Sequence, residues 1–315
     1  MKQWNYKFNV PDNKRVRMIV CADAKNEADD QFAIAHHLMT PKFIVKAVIG
    51  GHFNRTAGQY GDGHTATAST AEIRKVMTLM GVDDVPVLCG AEYPLEDEKT
   101  PQVSAGAEFI IEEAMRDDPH PLFVACQGAV TDLASALLMK PEIGERLTAI
   151  WIGGGDYPKG GNEFNLMQDI AAANVLMDSL AGVWQVPLQI YKQMAVTLSE
   201  LQMYVYPCGE IGKYLFTQMS KFNGAAAGCQ TWPHGEMWEL GDSPTVGLLL
   251  EENGKSDLYD VIDAPRFNYE NMTYEYPAKE SSVAGARKKI RVYKEVNARL
   301  TLGDFFAKLM LNYRE

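Results

Sequence analysis

Residues 17–31 read Arg17-Met18-Ile19-Val20-Cys21-Ala22-Asp23-Ala24-Lys25-Asn26-Glu27-Ala28-Asp29-Asp30-Gln31. The first five form a short apolar run of strand type, and from Asp30 onward Ala, Ile, Leu and Met recur at helical spacing through residue 39. Between them lies a loop with four carboxylates, Asp23, Glu27, Asp29 and Asp30, within eight residues. A strand that enters a helix through such a loop is the first half of a βαβ unit.

The same alternation continues outward. Apolar runs at 44–49, 85–88, 122–126, 149–152 and 186–191 read as strands, and the segments 30–39, 69–80, 105–116, 131–139 and 169–180 read as helices. Strands this apolar need cover on both faces, so the pattern predicts an α/β fold: a mostly parallel central sheet flanked by helices, Rossmann-like and open. Beyond 192 the chain reads as helix-rich over 201–250, with a helical run at 244–251. Residues 254–286 read as a surface excursion, followed by a strand at 290–295 and a helix at 302–311. The basic cluster Arg287, Lys288, Lys289 and Arg291 reads as a solvated strand edge. No boundary has a linker's composition, so residues 1–315 are expected to form a single domain.

Composition narrows the function. The chain has 315 residues, 46% hydrophobic and 23% charged, which suits a soluble globular protein. Forty-one acidic against thirty basic residues leave a net charge of -11, which repels phosphate polymers, so no nucleic-acid partner is expected. No apolar run reaches the roughly 18–20 residues of a membrane span, and the start is polar, so no membrane association and a cytoplasmic address are expected. Five scattered cysteines with no CxxC pair read as reduced thiols.

In a parallel α/β sheet, ligands bind beyond the carboxyl ends of the strands, where the loop 23–30 lies. Four carboxylates on a tight loop repel one another unless a cation is bound. Calcium takes about six to eight oxygen ligands and resolves the conflict. Two other readings stay open at this point. Asp29 can simply cap the following helix, the other acids being surface charges. Alternatively the loop is of a metal-dependent phosphatase type, with Lys25 as its sole nearby phosphate clamp.

Further segments carry a resemblance. The loop at 23–30 resembles the DxDxGxDD metal loop of the nucleoside hydrolase family. Val85-Pro86-Val87-Leu88-Cys89-Gly90-Ala91 with Pro94-Leu95 resembles that family's VPVxxGxxxPL segment, and Gln127-Gly128-Ala129-Val130-Thr131-Asp132-Leu133-Ala134 its GPLTNLA turn. Ile152-Gly153-Gly154 is similar to its MGG strand end, Asn162-Glu163-Phe164-Asn165 with Asp169 to its GN…EFN…D stretch, and Gly241-Asp242-Ser243-Pro244 sits where the family has HDP.

The resemblance implies a calcium-dependent N-glycosyl hydrolase that cleaves ribonucleosides to ribose and free base, assembled as a homo-oligomer, dimer or tetramer. It implies Asp23 as metal ligand and general base, with Asp30, Asp242 and the Thr131 carbonyl as further ligands. Asp29, Glu163 and Asn165 would hold ribose hydroxyls, helped by Asn162, and Asn54 resembles a family residue at a strand end. The sequence departs from the family in three places. Five residues, not three, separate Asp23 from Asp29, Cys21 replaces an Asp, and Gly241 replaces a histidine that protonates the departing base in some members. His234 and His52 are therefore the candidate leaving-group acids, with Trp238 or Trp232 as a stacking surface for the base. A non-catalytic nucleoside- or sugar-binding protein on the same fold is the rival reading beside the phosphatase.

Overall fold

The computed structural model describes residues 2–56, 63–228, 235–251, 256–276 and 287–314. In chain order its elements are β1 (Val16–Ala22), α1 (Asp30–Met39), β2 (Phe43–Gly50), α2 (Thr65–Met80), β3 (Val87–Cys89), α3 (Ala105–Met115), β4 (Leu122–Cys126) and α4 (Thr131–Met139). Then come β5 (Leu147–Ile152), α5 (Phe164–Gln168), α6 (Ile170–Asp178), β6 (Gly182–Val186), α7 (Leu188–Tyr191), β7 (Ala195–Thr197), α8 (Leu198–Tyr204) and α9 (Gly209–Ala226). The chain closes with β8 (Met237–Glu239), α10 (Pro244–Leu250), β9 (Tyr259–Asp263), β10 (Arg266–Phe267), β11 (Tyr274–Glu275), β12 (Lys289–Tyr293) and α11 (Ala298–Tyr313).

Eight strands build the central sheet in the order β3-β2-β1-β4-β5-β6-β12-β9, parallel throughout except for β9, which runs antiparallel to β12. The side chains of β1 alternate, as the two-residue repeat of a strand requires. Met18, Val20 and Ala22 join the core packed with Phe32 of α1, Ile73 of α2 and Phe305 of α11, whereas Ile19 and Cys21 join the one with Ile110, Leu133 and Leu176 of α3, α4 and α6. Burying each such side chain contributes about 1.5–3 kcal/mol, and both faces of the sheet are sealed.

The strand order carries the functional consequence. Successive strands grow outward from β1 through β2 to β3, and then the chain returns to β4 on the other side of β1. Beyond the carboxyl ends of β1 and β4 one loop runs to α1 on one face and the other to α4 on the opposite face. This divergence opens a crevice of the kind that binds ligands in doubly wound sheets.

Three expectations are corrected. Residues 186–191 are not a strand: β6 ends at Val186, Pro187 has no N–H for a ladder, and the apolar run continues as the short helix α7. The stretch 254–286 is not wholly an excursion, since Tyr259–Asp263 pairs with β12 as the sheet's last strand and Arg266–Phe267 pairs with Tyr274–Glu275. The basic cluster is not an edge either, since β12 lies between β6 and β9, and of its four cations only Lys289 is exposed. Arg291 lies 4.6 Å from the Trp184 ring and 4.5 Å from that of Tyr259, and Arg287 Nη2 donates to Asp178 Oδ1 at 2.7 Å. Lys288 Nζ donates to the carbonyls of Leu176 and Ala181 at 2.7 and 2.8 Å, and burial lowers its amine to about 7. No described helix is long and apolar enough to cross a membrane.

Candidate active site

A cavity of about 270 Å³ opens over the carboxyl ends of the central strands. The loop after β1 contributes Asp23, Asn26, Glu27, Asp29 and Asp30, and the turn after β4 contributes Gln127. Asn162 and Glu163 come from the segment between β5 and α5 and Asn165 from the first turn of α5, Tyr191 and Lys192 from the end of α7, and Trp238, Glu239, Gly241 and Asp242 from β8 and the turn beyond it. Gly128 permits the close approach of two of these loops: a Cβ there would meet Asp23 Cγ at 2.8 Å.

The acids are buried and uncompensated. Asp29, Asp30 and Asp242 each offer a carboxylate oxygen, and these atoms lie within 4.8 Å of one another. Asp29 occupies the N-cap position of α1, yet its side chain makes no capping bond, so the helix-cap reading of the loop fails. Its Oδ2 instead accepts from the Asp242 N–H at 3.3 Å, which ties the first loop to the turn before α10. Asp23 Oδ2, Asp30 Oδ1 and Gln127 Oε1 are buried with no hydrogen-bond partner. Buried acceptors are almost always satisfied, and three orphaned oxygens on one cavity have the chemistry of a cation site.

Electrostatics agree with the geometry. Burial, then the charge of Asp29, pushes the Asp23 carboxyl well above the ordinary range, and burial followed by Asp23 does the same to Asp30. Asp242 is raised by burial and then by Asp29, and Glu27 likewise. Asp29 rises to about 6 through burial, opposed by backbone N–H donors. An all-oxygen, acidic donor set suits a hard divalent cation rather than a thiolate- or imidazole-seeking metal.

Among the described residues lining the cavity, Lys192 is the one cation. Lys25 points elsewhere, to Glu72 Oε2 at 3.1 Å, so it is not a phosphate clamp for this cavity. Glu27, brought in by the longer loop, accepts from the Trp238 indole Nε1–H at 2.9 Å. Trp238 is itself only 1% exposed and packs edge-on against Phe222, so it braces Glu27 instead of offering a free face to a base.

Several expected site residues lie elsewhere. His52 does not line the cavity: its Nε2 is 2.7 Å from Thr131 Oγ1, which donates to Asp169 Oδ2 at 2.6 Å. Burial, with Arg55 adding to it, lowers the imidazole to about 4, so the ring is neutral near pH 7 and carries no imidazolium proton for a leaving base. The Thr131 hydroxyl is committed to that chain, and Thr131, whose carbonyl was the expected ligand, does not line the cavity, whereas Gln127, four residues earlier, does. Asn54 ties the loop after β2 to the one after β3, donating to Glu92 O at 2.9 Å, and accepts from Gly63 N at 3.3 Å within its own loop. His234 and Trp232 lie outside the described residues. Gln127 and Tyr191 are among the lining residues that sequence reasoning gave no role, with Asn26, Met167, Leu188 and Lys192. Gln127 opens the Gly128 turn motif, in which only Thr131 was given a role, and Tyr191 fell in the run read as a strand.

A sequence model of the inosine-uridine preferring nucleoside hydrolases matches residues 20–311. The chain belongs to that family. A pyrimidine-specific ribonucleoside hydrolase, RihA, of Citrobacter koseri is 26% identical over 177 residues, 48% of this chain and 54% of that protein. The inosine-uridine preferring nucleoside hydrolase of Crithidia fasciculata is 26% identical over 41% of this chain and 42% of its own length. The chain thus spans about half the length of these curated relatives. Over whole folds the likeness is wider: the purine-preferring ribonucleoside hydrolase of Gardnerella vaginalis superposes with a TM-score of 0.72, covering 93% of this chain and 98% of that one at 16% identity. This nucleoside hydrolase family member therefore shares the open α/β fold of its structural neighbours.

Proposed function

We propose that this nucleoside hydrolase family member is a calcium-dependent N-ribohydrolase. The observation that carries the reading is the set of buried, unpartnered carboxylate oxygens at the strand ends, beside a second polar group from Glu163 and Asn165. Asp30 and Asp242 would hold the cation together with Asp29, and Gln127 supplies an oxygen where Thr131 was expected. When bound, the cation would supply Lewis-acid activation of water near neutral pH.

The chain's own groups do the rest. Asp23, with one oxygen free of hydrogen bonds, accepts the proton of the attacking water. Asp29 and Asn165 hold sugar hydroxyls, Asn162 standing at the rim. Asn165 is pre-set for this by its Nδ2–H bond to the Ile152 carbonyl at 2.9 Å. The glycosidic bond breaks through an oxocarbenium-like sugar, and the carboxylates around the ring stabilise its positive charge. The substrate is a small-molecule nucleoside, and the expected setting is a cytoplasmic homo-oligomer, checked by sizing the protein in solution.

The test is release of base from inosine and uridine with calcium, after EDTA, and after calcium is restored. Turnover that vanishes with EDTA and returns with calcium is expected, with 2′-deoxynucleosides poorer by about 10⁴, because a site built for a hydroxyl is left unpaired without it. Turnover indifferent to EDTA, or equal for deoxynucleosides, refutes the reading. One observation favours a binding-only protein: no histidine lines the cavity among the described residues, and Gly241 offers none. Tight nucleoside binding with no base released in calcium would decide for it.

A further inference from the structure

A carboxylate has about four lone-pair positions for donors, and those of Glu163 are all taken. Its Oε2 accepts from the N–H groups of Gly154 at 2.8 Å and Leu166 at 2.9 Å. Its Oε1 accepts from Asn165 N–H at 3.0 Å and from the Tyr191 hydroxyl at 2.9 Å. Three of these donors are main-chain groups held by α5 and by the turn after β5, which cannot leave without unwinding backbone. Tyr191 is the exception, because a side chain can rotate away.

The ring of Tyr191 is placed by a second feature. A Cβ at Gly241 would lie 3.0 Å from Tyr191 Cδ2, closer than ordinary van der Waals contact, so the ring uses the room that glycine leaves. Both residues line the cavity.

We propose that Tyr191 is the specificity-determining residue for the sugar, its hydroxyl holding the acceptor position on Glu163 that a sugar hydroxyl would otherwise take. The proposal rests on the N-glycosidase reading above. A substrate hydroxyl reaches Glu163 only by displacing the phenol. One hydrogen bond to the carboxylate is then exchanged for another, with little net gain, and the site discriminates weakly at that hydroxyl. At Asn165 no side-chain hydroxyl intervenes, so discrimination there stays strong.

The experiment compares kcat/KM of the full-length wild type and Y191F, with calcium, on uridine and its 2′-, 3′- and 5′-deoxy counterparts. At the 3′ or the 5′ position the wild type should discriminate weakly, the 2′ preference staying strong, and Y191F should raise the preference for that hydroxyl by about tenfold or more, the size of a freed bond to a charged acceptor. Adding E163Q to Y191F should erase that gain. An unchanged pattern in Y191F, or a gain that survives E163Q, overturns the proposal while leaving the glycosidase reading intact. No turnover of any nucleoside by the wild type overturns the glycosidase reading and the proposal with it. A substrate-free arm reads the packing: G241A should lower Tm in the wild type but not in Y191A, and an equal fall in both shows that the ring does not depend on the space at 241.

Discussion

At the amino end of β1 the buried Arg17 guanidinium donates to Glu113 Oε1 at 3.0 Å and to the Glu113 carbonyl at 2.7 Å. Lys46 and Arg116 also approach the Glu113 carboxylate, at 3.5 and 2.8 Å. At the carboxyl end of the same strand, Asp23 and Asp30 bury carboxylate oxygens that nothing in the described chain satisfies. Both ends bury charge, but only the first supplies countercharge from its own sequence. The difference separates a structural electrostatic site from one that waits for a ligand, because desolvating an ion is tolerated only when a partner offsets it.

The largest effect should come from breaking the compensated end. Glu113→Gln leaves Arg17 buried with only the more distant Asp118 Oδ1, at 3.8 Å, as countercharge, and a loss of about 3 kcal/mol is expected in urea unfolding. A loss below about 1 kcal/mol would mean that the amino end is not held by this pair. The same kind of change at the other end should act in the opposite sense. Asp30→Asn is expected to leave the cation-free protein at least as stable as the wild type, since it removes a carboxylate repelled by Asp23. Calcium affinity by calorimetry should fall by about 10³-fold, beyond the 10–100-fold typical of outer partners. Equal calcium affinity in that variant would break the comparison.

Histidine sharpens it further. Burial lowers His36 from 6.5 to about 4 despite its 2.7 Å contact with Asp304, and lowers His37 to about 3. Between about pH 6.5 and 4 the unfolded chain binds the proton that folded His36 refuses, so stability falls as pH is lowered through that window. The His36 contribution is up to about 3 kcal/mol, read as the flatter pH dependence of His36→Asn relative to wild type. Superimposable profiles would show that His36 does not contribute. The smallest effect belongs to the surface. Lys289 and Asp263 pair at 2.8 Å with side chains 59% and 45% exposed, and Lys289→Ala should cost less than about 1 kcal/mol. A larger loss would show that exposure is not what divides the two kinds of ion pair.

Local pattern made much of this legible. The helices at 30–39 and 131–139 have the bounds that their apolar spacing predicts, and β4 coincides with the run at 122–126, because period and propensity act over neighbouring residues. The carboxylate loop was equally visible, since four like charges on a short loop demand an explanation wherever they occur. Beyond 192 the reading weakened. β9 is short, carries an aspartate on each face and is separated from β12 by a long connection, so nothing local announces that the two pair.

What the sequence determined by itself is therefore the α/β class, the position of the acidic loop at a strand end, and the identity of Asp23, Asp29, Asp30, Glu163, Asn165 and Asp242 as the groups to examine. Tertiary structure alone decided which of the remaining candidates meet them. Thr131 and His52 turn toward Asp169 and each other, and Gln127 takes the place beside the acids. Trp238 is drawn to Glu27 across 211 residues of sequence, and Tyr191 to Glu163 across 28. The physical reason is that a hydrogen bond depends on separations of a few tenths of an ångström and on angle, which strand order and loop packing set jointly, whereas a residue's type and its place in a repeat carry no such information.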